Sequence, residues 1–491
     1  MRPFWGAPPI NRSASKKGHW GDWHGIERQS DMAAAHLMRL ERLPPPNVWE
    51  RFLARRIPMW AVLLLALLGS VGTIAFGALV LNGSTSGAIG AIALELAAVP
   101  QTLGRLIKGD PITVYYKGDY KRQPKSFWRN SAQPFVDPGY VLLTDFDLTA
   151  GRPIIRLMRL SDGRIVHDFR PDIDGINARS TFRSALMDLK RDRNVRHNMM
   201  MHPLLMPDGG LVIHDSSPLA RVDACGHVKW AVDGIFHHSV EQAPDGSLWA
   251  IYRYPVSPLP DVTPAFDDEA LAHVSADGKP MGLTRIADIL DRNGFGYLWR
   301  GRPYVDDPFH LNDVQPVPGD GPYWKKGDLL LSLRNMSLIL LYRPSTGKIL
   351  WHRFGPWAMQ HDVSVIDDHR IILFDNHWRY AAPEGEVDGT NRLPVYDFAT
   401  DRVSYPFAVA TKATAIRTRA QGRATPLANG DVMVEDTERG RILRLASDGT
   451  VRWRYISADA QGRRYQLRWS RYLDPTTDGP AIQAAENARC S

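Results

Sequence analysis

Three histidines recur at one place in a repeated pattern. His238 lies seven residues before Asp245, His361 seven before Asp368, and His310 seven before Val317, which opens the turn Val317-Pro318-Gly319-Asp320. Each histidine opens an apolar run that ends in a turn, so the three occupy equivalent strand starts. The returning runs end in Leu333-Arg334-Asn335, Tyr252-Arg253-Tyr254 and Asp375-Asn376-His377. An antiparallel partner comes back to the end where the first strand began, so Arg334, Arg253 and His377 are expected beside the histidines. Imidazoles with guanidinium groups suit an anionic, aromatic ligand and nucleophilic or acid–base work by histidine. A lone histidine at a strand start is ordinarily a turn or capping residue. Three in one register, with Arg334 among them, tip the reading to function.

Other chemistries are poorly served. His197, His214, His227, His352 and His369 fall outside the register and read as structural or surface residues. No cysteine or carboxylate shares it, and an arginine is a poor neighbour for a cation, so no metal site is expected. Asp362 and Asp313 should point away from the site by strand alternation. Phosphate-binding glycine loops, a nucleophile elbow and paired carboxylates are missing from the obvious places.

The elements that must position these residues are short strands. From about residue 138, apolar runs rich in β-branched and aromatic residues alternate with Asp-Gly, Asn-Gly and Thr-Gly turns. Paired halves give six units, at about 138–170, 200–233, 237–284, 309–355, 360–407 and 423–456. Units of this size with four strands each predict an all-β, six-bladed β-propeller, with the stretch 463–473 supplying a closing strand.

Ahead of the repeats, residues 57–81 carry no charge and are long enough to cross a bilayer. Ten Lys/Arg precede them and none lies in 82–104, which predicts a cytoplasmic N-terminus and an exported propeller. The expected organisation is a cytoplasmic tail at 1–56, a transmembrane helix at 57–81, an interfacial helix and linker at 82–137, the propeller at 138–473 and a C-terminal tail at 474–491. The interfacial helix falls at 87–107, an apolar stretch interrupted by Glu95 and Pro100. A formal charge of +7 with no dense basic tract argues against nucleic acid as a partner. The two cysteines, Cys225 and Cys490, offer no metal spacing and allow one long-range disulfide outside the cytosol.

On these residues the chain resembles the bacterial arylsulfate sulfotransferases that work without a nucleotide sulfate donor, across about residues 138–456. The resemblance implies a six-bladed, periplasm-facing propeller that moves a sulfuryl group from a phenolic sulfate ester to another phenol. A transiently sulfated histidine carries the group, and no cofactor is implied. Matched by segment, QHD puts that nucleophile at His361, HLN gives His310 and Asn312 as partners of the sulfuryl oxygens, and LLLSLRNMSLI gives the arginine at Arg334. HHS gives His238 by register, with His237 adjacent. Arg253 and His377 complete the expected substrate-binding set. The best-understood members are soluble, secreted proteins with a separate N-terminal β domain, whereas this chain has a tail and an anchor, which predicts a single-pass inner-membrane protein. Two rivals remain. One is a non-catalytic propeller serving as a binding or accessory subunit of a membrane complex. The other is a quinone-cofactor dehydrogenase, suggested by TGKILW but short of blades and of an acidic channel residue.

Overall fold

The computed structural model describes residues 58–81 and 125–490, apart from 184–186, 264 and 382–384, together with scattered positions between 89 and 103. The expected tail at 1–56 lies outside the described residues, and the expected interfacial helix at 87–107 lies largely outside them. Two compact units divide the chain, Met1–Thr73 and Ile74–Ser491. The helix Met59–Leu81 has 23 residues without a charge. At ~1.5 Å per residue it exceeds the ~30 Å of a bilayer core. Its mean hydropathy is 2.3 and none of it is buried, so it is long and apolar enough to cross a membrane.

The second unit is an all-β, propeller-like fold of antiparallel sheets. One sheet runs in strict sequence order through Leu311–Pro316, Leu329–Leu333, Leu338–Arg343 and Lys348–Phe354. A second does the same through His361–Val365, Arg370–Phe374, Val395–Asp397 and Arg402–Ser404. A third uses Arg423–Pro426, Val432–Asp436, Arg441–Leu445 and Val451–Ile456, and Ser126–Arg129 adds a fifth strand at its edge. In the fourth, Arg471–Leu473 pairs with Tyr140–Leu142, so the end of the chain completes a sheet begun by Tyr140–Asp147. These four are separate blades. Beside a two-stranded sheet of Trp378–Arg379 and Glu386–Val387, one further sheet has seven strands, because Val228–Gln242 continues unbroken from one repeat into the next.

Burial follows position in each blade. Leu329–Leu333 is covered on both faces, while the outer strand Lys348–Phe354 alternates exposed and half-buried residues. Alternation sends successive leucines into different cores. Leu329, Leu331 and Leu333 pack with Trp249, Ile251 and Phe309. Leu330 turns the other way, toward Val363, Ile371 and Leu373. Each such buried side chain contributes about 1.5–3 kcal/mol, so neighbouring blades are held chiefly by these layers.

Polar bonds then set one inner strand against the next. Ser239 Oγ accepts from the Val314 N–H at 2.9 Å, an Asp313 carboxylate oxygen from Val363 at 2.7 Å, and an Asp362 oxygen from Ala424 at 2.7 Å. Glu435 accepts from Trp469 and Ser470 at 2.8 and 2.7 Å. Asp313 and Asp362 thus face neighbouring backbone, away from the histidines. The chain does not stop at the closing strand. A helix, Pro475–Asn487, follows, capped by the Asp474 side chain, and Cys490 is disulfide-bonded to Cys225.

Candidate active site

Three inner strands carry a β-bulge where the histidines fall. The register shifts between His237 and Val240, between Leu311 and Asp313, and between His361 and Val363. A bulge lets adjacent side chains leave strict alternation and re-aims them. Left-handed backbone marks the same zone, at His202, His238, His310, Asp362, Gln421 and Trp469, with φ between 50° and 65°. Each costs about 1–3 kcal/mol and persists only where the surroundings impose it.

His238, His310 and His361 converge there, each offering a ring nitrogen within 4.8 Å of the others. Ring centroids of His238 and His310 are 5.0 Å apart, and each is 6.4 Å from His361. Trp469, fully buried on the closing segment, covers the group, 6.4 Å from His238 and 6.2 Å from His361. Its indole N–H is buried without a partner.

Hydrogen bonds distinguish the three rings. His361 Nδ1 meets Asn376 Oδ1 at 2.7 Å, and its Nε2 accepts from the Gln421 N–H at 3.0 Å. The ring is therefore a neutral Nδ1–H tautomer with both nitrogens engaged. His310 Nδ1 meets Asp307 Oδ2 at 2.5 Å, a carboxylate that fixes the tautomer and presents Nε2 to the site. His238 Nδ1 faces His237 Nδ1 at 2.6 Å. Burial, and then the charge of Arg334, hold His361 well below the ordinary imidazole range. Burial first, and then its histidine neighbours and Arg334, do the same to His238. Both are neutral near pH 7, as a nitrogen nucleophile must be. At Asp307, burial works to raise the carboxyl, but His310 and Arg334 outweigh it and bring it below its usual value.

Arg334 follows directly on the second strand of its blade, opening the 3-10 turn Arg334–Met336. Its backbone N–H bonds the His310 carbonyl at 3.0 Å, and a terminal nitrogen donates to Asn335 at 2.7 Å. Its Nε is buried with no partner, a donor waiting for an anion. The other expected residues fall less centrally. Asn312 is fully buried and spends its amide N–H on the Gln360 carbonyl at 2.8 Å, leaving its oxygen unpartnered. His237 sits behind His238, with Nε2 3.6 Å from Glu269. Burial drives both of those groups toward their neutral forms, so the approach is not an ion pair. Arg253 is held by Asp267 at 2.9 Å. His377 bonds the Thr390 carbonyl at 3.1 Å and lines a separate cavity with Arg392 and Tyr405.

Three contributors carried no clear sequence signal of their role, Trp469, Asp307 and Gln421, while Asn376 stands in the returning run Asp375-Asn376-His377. Only Asp307, three residues ahead of a candidate histidine, had spacing that could have revealed it. The three nitrogens are close enough for a cation, but His361 Nε2 is engaged by the Gln421 N–H at rest and Arg334 opposes positive charge.

Residues 290–458 match the family model described as arylsulfotransferase (ASST), so this stretch is related to that family. The match contains His310, Asn312, Arg334 and His361, while His237, His238 and Arg253 precede it. No curated protein matches the chain. Among solved structures, a protein of unknown function from Bacteroides caccae is similar at 11% identity and TM-score 0.43, covering 69% of this chain and 99% of that one. Virginiamycin B lyase from Staphylococcus aureus is similar at 13% identity and TM-score 0.35, covering 67% and 87%. Hydrazine synthase from Kuenenia stuttgartiensis is similar at 10% identity and TM-score 0.37, covering 65% and 81%.

Proposed function

We propose that the protein is a membrane-anchored aryl sulfotransferase that carries a sulfuryl group on a histidine. The observation that carries the reading is the convergence of three histidines with Arg334, whose Nε is buried and unpartnered, in a chain whose segment 290–458 matches the arylsulfotransferase model.

In the first half-reaction, neutral His361 attacks the sulfur of an aryl sulfate. The N–S bond forms as the bond from sulfur to the aryl oxygen breaks. The departing phenolate takes a proton from His310, whose imidazolium Asp307 stabilises. In the second, a phenol gives its proton to His310 and its oxygen attacks the sulfur, and the N–S bond breaks. Arg334 neutralises charge on the transferring oxygens, neutral His238 hydrogen-bonds them, and Asn312 positions His361 through the Gln360 carbonyl. Donor and acceptor are small aryl sulfates and phenols, and the scheme needs no metal or cofactor. His237, Arg253 and His377 hold surrounding positions.

The free Nε2 of His310, oriented by Asp307, favours a second assignment in which His310 is the nucleophile and His361 its partner. The six-blade count rests on dividing the seven-stranded sheet at Val228–Gln242 into two blades. The N-terminal positive charge supports a cytoplasmic tail in the inner membrane, and the Cys225–Cys490 bond supports an exported propeller at about 138–473. Incubating the full chain with 4-nitrophenyl sulfate and a phenol tests the proposal. Nitrophenol release with an acid-labile sulfate on a histidine is expected, and neither appearing would overturn it.

A further inference from the structure

Between the strands Pro280–Arg285 and Leu311–Pro316 the chain inserts two short helices, Ile286–Arg292 and Tyr297–Arg300. The second of them lines a cavity of about 850 Å³ with Phe266, Trp299 and Tyr304 in its wall. Two further wall residues belong to the candidate active site. Asp307 is the carboxylate that holds His310, and Asn335 accepts from Arg334 while donating to the Asp307 carbonyl at 2.8 Å. The cavity is therefore one residue removed from the imidazole and guanidinium groups.

Its chemistry is aromatic. Phe266 lies 6.3 Å from Trp299 and 6.4 Å from Tyr304, and Tyr304 is half-exposed. Arg300 stacks on Trp299 at 4.0 Å but is already paired with Asp291 at 2.7 Å. The four charged residues of the wall, Asp261, Arg300, Arg302 and Asp307, cancel. Net neutrality favours a ligand without charge of its own beyond a transferring group, and the volume is that of pockets for drug-sized molecules.

We propose that this cavity is the aryl-binding subsite and that it selects neutral phenols of two or more fused or linked rings. The proposal rests on the transferase reading, since a single sulfuryl position means donor and acceptor rings use one subsite in turn. The wall aromatics hold the ring system by stacking and edge contact, beside Asp307 and Asn335, the partners of His310 and Arg334.

Calorimetry on the full chain in detergent tests this without turnover, using 7-hydroxyflavone and phenol as probes. Wild type is expected to bind 7-hydroxyflavone at least about a hundredfold more tightly than phenol. Trp299→Ala and Tyr304→Ala should each weaken that binding by about tenfold, or about 1.4 kcal/mol, and weaken phenol by less, with Trp299→Phe restoring most of it. Equal affinity for the two probes, or variants that bind 7-hydroxyflavone like wild type, overturns the proposal. Because binding needs no transfer, a failure here stands apart from a failure of the nitrophenol assay.

Discussion

The backbone N–H of Gln421 donates to Nε2 of His361 across 3.0 Å, on the atom that a nucleophilic mechanism uses. Gln421 is itself left-handed, with φ 65°, and Gly422 follows at φ 98° in close contact with Phe374. The loop is held where it is, and the lone pair is capped at rest. Releasing it exchanges a hydrogen bond worth about 0.5–1.5 kcal/mol for a bond to sulfur, a modest toll on catalysis.

The capped ring gives the first prediction. After incubation with 4-nitrophenyl sulfate and a rapid quench at alkaline pH, peptide mass spectrometry should find the sulfate on His361. His361→Ala should lose at least about a thousandfold in kcat, as removal of a nucleophile does. Label on His310 instead would assign the nucleophile to the ring whose Nε2 the protein leaves open.

Asp307 orients His310 at 2.5 Å and is partly exposed, so removing its charge should leave the fold intact. Asp307→Asn is expected to lower kcat by about 10²–10⁴-fold, the range of general acid–base catalysis, with little change in melting temperature. The deficit should shrink with donors whose leaving phenol is strongly acidic, because these need no proton. An equal deficit across donors of every leaving-group acidity would remove His310 from that role.

Arg334 offers a buried, unpartnered Nε beside a planar fork. Lysine supplies a point charge and cannot bond two oxygens in that geometry. Arg334→Lys should cost about 10²–10³-fold in kcat/KM, the scale of losing one oxyanion donor. Steady-state kinetics with 4-nitrophenyl sulfate checks it, and near wild-type activity would separate Arg334 from the sulfuryl group.

The fold and half of the site were legible because both depend on period. Alternating apolar runs broken by Gly turns identify strands, and a shared distance to the turn picks out His238, His310 and His361. Two things escaped that logic. Val228–Gln242 contains Asp233-Gly234, which reads as a turn between repeats, yet the strand runs through it, so a count of units and a count of sheets disagree. Gln421 acts through its backbone N–H, which no side-chain identity encodes. Trp469 reaches the cluster only because a three-residue strand, Arg471–Leu473, closes a sheet begun at Tyr140, and that pairing spans almost the whole described ring. Asn312 matched a motif, yet its amide turns to Gln360 because a bulge re-aims it.

The disulfide supports a stability prediction. Cys225 and Cys490 are 265 residues apart, so the bond restrains most of the unfolded ring. The Cys225→Ser, Cys490→Ser double variant should lose about 2–5 kcal/mol in denaturant unfolding, and reductant should bring wild type to the same midpoint. An unchanged midpoint would mean that the C-terminal helix docks without help.

Buried carboxyls beneath the histidines supply the last. Burial first, and then Asp362, push Asp313 from 3.8 up to about 8, so it is protonated in the folded chain at neutral pH. A group that binds its proton more tightly when folded stabilises at low pH and loses that contribution as pH rises through its folded value. The buried histidines work in the opposite sense, since His361 and His238 sit below 6.5 and penalise folding only as pH falls beneath that value. Asp362, pushed to about 6, has largely titrated before pH 7. Between about pH 6.5 and 8, Asp313 is therefore one source of any decline in stability with rising pH, beside Glu269, which burial also raises. Asp313→Asn keeps an oxygen to accept from Val363 and removes the titration. Its melting temperature should fall less steeply than that of wild type across this window, with the two diverging most at pH 8. Parallel profiles would show that Asp313 is already ionised in the folded chain.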